Sequence, residues 1–319
     1  VNGDRVRVGA RARIRADSAP LNVAVDFDRR KGDGRAYAEV TATDIGAWSP
    51  LLRYAGVVAD RGNGQLQGWV SLHRHRVVMV TAEAHVQKLG LRGAPLVGGG
   101  PLPRVAFEQL DGRARWRLTT GGWRLDAPLL RVGSDGRTQT LDGLLLAGGR
   151  DFAVVARQLD AAPLFAVLGL SDRVDDDMRR WLGQAHPTAR LARLEVAGNR
   201  QGGLRGRGEL LEVGFAPVGH APGLSGLAGE FEGDADGMRL HLKPASRLKF
   251  DWPSGFGVVH DVTLDGEIVG WREGAGWRVG TPALRVRGKD YGAHVRGGMW
   301  FQNDGTRPWI DLAADLDQA

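Results

Sequence analysis

The chain has 319 residues, 42% hydrophobic and 25% charged, a balance that excludes an intrinsically disordered chain and suffices to bury a core. Its 43 Lys and Arg outweigh 37 Asp and Glu by a net +6, yet the arginines are dispersed among the acids with no basic run, so no nucleic-acid-binding tail is indicated. The absence of cysteine excludes disulfides and thiolate metal sites, and no window holds the roughly 18 apolar residues of a membrane-spanning helix.

In chain order, Arg5 to Ala16 alternates arginine with apolar residues at period two, which puts Val6, Val8, Ala12 and Ile14 on one face of a strand and arginine on the other. Val23, Val25 and Phe27 repeat the pattern before the turn-forming run Lys31 to Gly34, predicting an antiparallel meander. A short helix is expected near 43–58, capped by Thr43 or Asp44 and carrying Ile45, Trp48, Leu51, Leu52 and Ala55. Pro50 keeps it short or kinks it. Strands resume at Gln65 to Leu72, turn through His73 to Arg76, and return with Val78, Val80, Ala82, Ala84 and Val86. Pro95 to Pro103, with three consecutive glycines, reads as a loop. Strands are expected over 104–156 and helices near 160–186, split at Gly169 and ended by Pro187. Leu191 to Phe215 and Gly223 to Leu242 read as hairpins, the second turning at Asp234 to Gly237, and strands continue from Asp261 to the end.

The organising feature is an internal repeat. At a constant offset of 154 residues Leu110-Asp111-Gly112 falls on Leu264-Asp265-Gly266, Gly122-Trp123-Arg124 on Gly276-Trp277-Arg278, Pro128 on Pro282, Leu130-Arg131-Val132 on Leu284-Arg285-Val286, and Gly143 on Gly297. After a short insertion Leu159-Asp160 falls on Leu316-Asp317. Such self-similarity means one supersecondary unit used more than once. Two repeat units are expected, 1–153 and 154–319. The chain is expected to be a piece of a longer one, cut inside a periodic object.

Residues able to carry chemistry have plainer roles available to them. The eight histidines have no regular ligand spacing; His73 and His75 share a face, but a solvated turn accounts for them. Asp175, Asp176 and Asp177 fit helix-start acids better than an acid–base pair. Asp234 to Gly237 lacks the rest of a calcium loop, and Arg205 to Gly208 reads as hairpin. There is no Gly-x-Ser-x-Gly elbow, so no catalytic residues and no cofactor are assigned. For Trp116, Trp123, Trp271, Trp277, Trp300 and Trp309 core packing is the default reading, and lining a groove for an apolar ligand the sharper one.

Trp181 to Pro187 (WLGQAHP), Pro222 to Gly229 (PGLSGLAG), Gly276 to Val279 (GWRV) and Asp304-Gly305 give the chain a resemblance to the YhdP branch of the AsmA-like family of Gram-negative envelopes, clearest over its C-terminal half. The resemblance implies a mainly β fold: an elongated, curved antiparallel sheet forming an open apolar groove, with short helices at repeat boundaries. It further implies a periplasmic location, an inner-membrane anchor outside these residues, and phospholipid carried between inner and outer membranes without catalysis. Phospholipid acyl chains and the two membranes are thus the implied partners, with no nucleic acid.

Elementary energetics fits such a role. Exposing an acyl chain to water costs about 0.8 kcal/mol per CH₂, so a two-chain lipid faces a barrier of about 20 kcal/mol that an apolar trough removes. Alternation makes Val6, Val8, Ile14, Val78, Val80, Leu125, Val132, Val279, Val286, Val295, Met299 and Phe301 the candidate lining. The same alternation builds a closed β core, which suits the alternative function, a non-enzymatic envelope scaffold or assembly factor. A carbohydrate-active enzyme is the third class. An open carbon-lined face, a filled core with an exposed patch, or convergent carboxylates in a cleft separate the three.

Overall fold

The computed structural model describes residues 3–13, 19–42, 44–50, 52–243, 246–302, 304 and 306–318. The chain is mainly β. In order come β1 (Arg5–Ala12), β2 (Leu21–Asp28), β3 (Asp33–Ala42), β4 (Arg53–Tyr54), β5 (Val57–His73), β6 (Arg76–Arg92), β7 (Arg104–Thr119), β8 (Gly122–Ser134), β9 (Arg137–Gly149) and β10 (Asp151–Asp160). Two helices follow, α1 (Ala162–Leu168) and α2 (Asp176–Ala185). Then come β11 (Thr188–Asn199), β12 (Leu204–Phe215), β13 (Gly223–Asp234), β14 (Gly237–Leu242), β15 (Ser246–Asp251), β16 (Val259–Glu273), β17 (Gly276–Arg287), β18 (Gly292–Phe301) and β19 (Trp309–Gln318).

The chain divides into two compact units. Unit 1 is Val1–Phe152 with Ala162–Gly183, and unit 2 is Ala153–Ala161 with Gln184–Ala319. Within unit 1 the antiparallel ladder runs β1-β2-β3-β5-β6-β7-β8-β9, with β4 folded onto β5. Within unit 2 it runs β11-β12-β13, then through β14 and β15, which both pair with β16, and on to β17, β18 and β19. Neither β1 with β9 nor β11 with β19 shares a ladder among the described residues, so neither ladder closes on itself. Short turns force this topology, since parallel pairing needs long crossovers.

The repeat is structural. β7, β8 and β9 correspond to β16, β17 and β18 at the same offset, and β10 to β19 after the insertion. The ladder slips between Arg113 and Arg115 in the first copy and between Gly266 and Val269 in the second. Each slip lies opposite the repeated proline, Pro128 or Pro282. A proline cannot donate to a ladder, and a bulge is where one is tolerated. The repeated glycines next to it, Gly143 and Gly297, have φ of 63° and 113°, values an L side chain rarely adopts.

The helix expected near 43–58 is a single 3-10 turn, Ile45–Trp48, with the Asp44 carboxylate accepting from the Gly46 N–H at 2.9 Å. The chain then turns into β4 and β5, because Pro50 prevents helix propagation. Ile14, Thr43 and Leu51 lie outside the described residues. α1 stops before Gly169 and α2 before Pro187, where sequence placed the break and the end. Arg179 of α2 is buried and ties unit 1 together: it donates to the carbonyls of Ala94 at 2.6 Å, Pro95 at 3.2 Å and Gly169 at 3.3 Å, and to Asp176 at 2.9 Å. A buried guanidinium is tolerated only when so satisfied. In unit 2 the core is Leu240, Leu242, Val262 and Leu264, packed by Phe231, Ile268, Leu284 and Val286 among others.

Candidate functional site

Register shows which side chains share a face, because residues paired across an antiparallel ladder point the same way. In unit 1 one lateral row reads Val8, Val25, Ala36, Val70, Val80, Trp116, Leu125 and Leu146 across eight strands. A second reads Ala12, Leu21, Val40, Leu66, Ala84, Gly112, Leu130 and Leu141. Neither row contains a polar side chain. The opposite face reads Arg7, Asp26, Arg35, Ser71, Met79, Arg117 and Arg124 along one row, and Arg11, Asn22, Glu39, Gln67, Glu83 and Arg113 along another.

Unit 2 repeats the division. Val196, Gly206, Gly233, Met238, Gly270, Val279, Met299 and Ile310 form one apolar row, and Leu264, Val286, Ala293 and Leu316 part of another. Three glycines in the first row supply no side chain, which leaves Met238 53%, Val279 40% and Ile310 58% exposed. The face is therefore filled along Leu242, Val262 and Leu264 and open along the Met238 row.

Of the sequence-derived lining, Val6, Val8, Val80, Leu125 and Val132 fall on the apolar face of unit 1. Val279, Val286, Val295, Met299 and Phe301 fall on that of unit 2. Val132 is buried and Val286 packs against the core cluster, whereas Val8, Val279 and Phe301 stand open. Val78 occupies a bulge: Ser71 pairs with Met79 and Leu72 with Val77, so Val77 takes the place opposite Leu72. Sequence reasoning missed Val70, Leu146, Val196, Met238 and Ile310 as members of these rows, and offered Trp116 as groove lining only as the second reading. Their signal is cross-strand pairing, which no single window of sequence carries.

The tryptophans divide unexpectedly. Trp116 lies on the apolar face of unit 1, but Trp271, Trp300 and Trp309 form a row on the polar face of unit 2 with Arg278 between the first two. The Arg278 guanidinium stacks over the Trp300 ring at 5.3 Å. Trp123, Trp271, Trp277 and Trp309 are exposed, so core packing does not account for them.

The acids nearest the depression in unit 2 have partners. A depression of about 1020 Å³ in unit 2 is lined by Val196, Gly206, Gly233, Met238 and Gly270 of the open apolar row together with Glu195, Glu232 and Asp234. Glu195 is bound by Arg207 at 2.7 Å, Glu232 faces Arg239 at 3.8 Å, and Asp234 accepts from the N–H groups of Asp236 and Gly237. The nearby Glu209 is held below the ordinary carboxylate range by its bond to Lys243 and by the charge of Arg193. On the polar face of unit 1, His85 is pushed up by hydrogen bonds to Asp111 at 3.0 Å and Glu83 at 3.3 Å. His73 pairs with Asp33 rather than with His75. The Asp175 carboxylate accepts from the Met178 N–H at the start of α2, and Asp176 and Asp177 pair with Arg179 and Arg180, as helix-start acids do. Among the described residues no cluster of three or more His, Asp or Glu is placed to hold a metal ion, and no helix is long and apolar enough to cross a membrane.

Two-faced antiparallel ladders with one face apolar, and a depression whose carboxylates are engaged by arginines or backbone N–H groups, define a mainly β protein. The chain matches the family model described as YhdP protein over residues 2–319, and it belongs to that family. No curated protein and no solved structure matches it.

Proposed function

We propose that this chain is a section of a periplasmic bridge-like protein that carries phospholipid between the inner and outer membranes, its apolar face sheltering the acyl chains. The observation that carries this reading is the row Val8 to Leu146, eight strands wide without a polar side chain. Strands of about six residues span ~20 Å, comparable with an extended acyl chain, so chains lying along the strands would be covered over their length. Transfer then needs no catalyst, only a continuous surface that keeps about 20 kcal/mol of apolar exposure from being met at once. The inner-membrane anchor and the contacts with both membranes belong to parts of the protein outside these residues. The open row of unit 2 favours this reading over a scaffold with a closed β core.

Substituting aspartate on the open face provides the test. In Val279→Asp and Val295→Asp, phospholipid bound per protein should fall several-fold while far-ultraviolet circular dichroism is retained, because a carboxylate on the face costs ~2 kcal/mol or more against hydrocarbon. Unchanged lipid content in both folded variants would remove these residues from the lining.

A further inference from the structure

The sequence has no basic run, but folding makes a basic patch. The turn between β2 and β3 carries Arg29, Arg30 and Lys31, and the turn between β5 and β6 carries Arg74 and, at the start of β6, Arg76. Asp33 and Arg74 are 41 positions apart in the chain, yet the His75 N–H donates to the Gly32 carbonyl at 2.9 Å and the Arg74 N–H to the Asp33 carboxylate at 3.1 Å. All five cationic side chains are exposed. Among the described residues none of the five side chains forms an ion pair within 4 Å, although two carboxylates, Asp28 and Asp33, belong to the same turns. Asp26 is held by Arg5 and Arg7, Asp33 by His73, and Asp28 accepts the Lys31 N–H. Five cations against the two carboxylates of Asp28 and Asp33 leave the touching turns net positive, and such cations repel one another unless a further anion joins them.

The position of the patch indicates which anion. Both turns stand at one end of the apolar face: His75 packs edge-on against Phe27 at 5.8 Å, and Phe27 lies in the apolar row Val6, Phe27, Gly34, Leu72, Val77. An amphiphile with its chains along the strands has its polar end at the strand ends, which here are these turns. The β5–β6 turn is also an unusual choice of residues. Arg74 and His75 have φ of 49° and 61°, a two-residue hairpin geometry that Asn-Gly fills without strain, so a guanidinium stands where local conformation alone favours asparagine.

We propose that the β2–β3 and β5–β6 turns form a phosphate-binding rim, at which Arg29, Arg30, Lys31, Arg74 and Arg76 hold the headgroup of an anionic phospholipid whose chains lie on the apolar face of unit 1. This rests on the lipid reading above and names the headgroup class of its substrate. Guanidinium groups suit phosphodiester oxygens through paired, charge-assisted hydrogen bonds, and the attraction falls with ionic strength.

The test incubates the 319-residue chain with vesicles of equimolar phosphatidylglycerol and phosphatidylcholine, re-isolates the protein and quantifies both lipids by mass spectrometry. The expected result is enrichment of phosphatidylglycerol by about fivefold or more at low salt, the scale of one basic contact to an anionic surface, and its disappearance at high salt. Arg29→Glu with Arg30→Glu should abolish the enrichment while total lipid stays constant. Arg74→Asn, which tolerates the positive φ, should reduce it without disturbing the turn. Uptake of both lipids without preference, or a preference untouched by these variants, would overturn the rim and leave the lipid reading standing. No uptake of either lipid would overturn both. Saturable binding of soluble glycerophosphate with no phosphatidylglycerol preference would mean a free-phosphate site, again overturning the headgroup assignment.

Discussion

Leu242 is 1% exposed at the centre of the Leu240, Leu242, Val262, Leu264 cluster, and its removal should be felt in full. Leu242→Ala is expected to cost about 2–5 kcal/mol, the range for a buried leucine whose site collapses incompletely, read from the shift of the urea midpoint. His85 behaves oppositely, as an exposed residue whose effect depends on pH. Its bonds to Asp111 and Glu83 raise its pKa above the ordinary 6.5, so the folded chain holds the proton more tightly than the unfolded one. That contribution is fully present below the unfolded value and is lost as pH rises through the folded one. A titration of the ring protons by NMR should place His85 above 6.5, and Asp111→Asn should lower it; a midpoint at or below 6.5 in the parent chain would contradict the bonds.

At the scale of elements, period-two alternation carried most of the architecture. The strands around Val6, Val25, Val80 and Leu125 were legible because each buries one side only. The two helices were legible from their apolar stripes and from Gly169 and Pro187, which end them. The segment near 43–58 was not, since Ile45 and Trp48 at helical spacing suit a 3-10 turn as well as an α-helix, and spacing alone cannot measure length. Bulges were the other blind spot. Alternation with Val80 puts Val78 on the apolar face, but one unpaired residue shifts the count, and nothing in VVMV marks where the ladder slips. The repeated Pro128 and Pro282 did carry that signal for their own bulges. Gly297→Ala should accordingly destabilise by about 1–3 kcal/mol through its positive φ, and an added Cβ would meet the Asp311 carbonyl in the adjacent strand. Removing the buried Arg179 guanidinium, as in Arg179→Ala, should cost about 3–5 kcal/mol by stranding Asp176 and three carbonyls. Amide hydrogen exchange should then accelerate over residues 93–98 and both helices.

At the scale of the whole chain, the sequence made the two-facedness visible and left the lateral continuity hidden. Each strand announced one apolar edge; that Val8, Val70, Trp116 and Leu146 lie in one row emerges only from four separate registers. The basic rim was hidden for the same reason, being assembled from turns that are distant in sequence. Conversely, Val132 and Val286, equivalent positions of the repeat, look identical to Val279 in a pattern of alternation but are covered by core. Periodicity reports which face a residue occupies, and packing decides whether that face is open there. The account therefore stands on the apolar face being occupied by lipid in the protein as isolated. The most direct measurement is to purify the chain from a Gram-negative host without detergent, extract it with organic solvent and quantify phospholipid per protein by mass spectrometry. Near-stoichiometric phospholipid, diminished in Val279→Asp, is the predicted result; a lipid-free protein that also fails to take up a fluorescent phospholipid from vesicles would contradict the account and favour a scaffold.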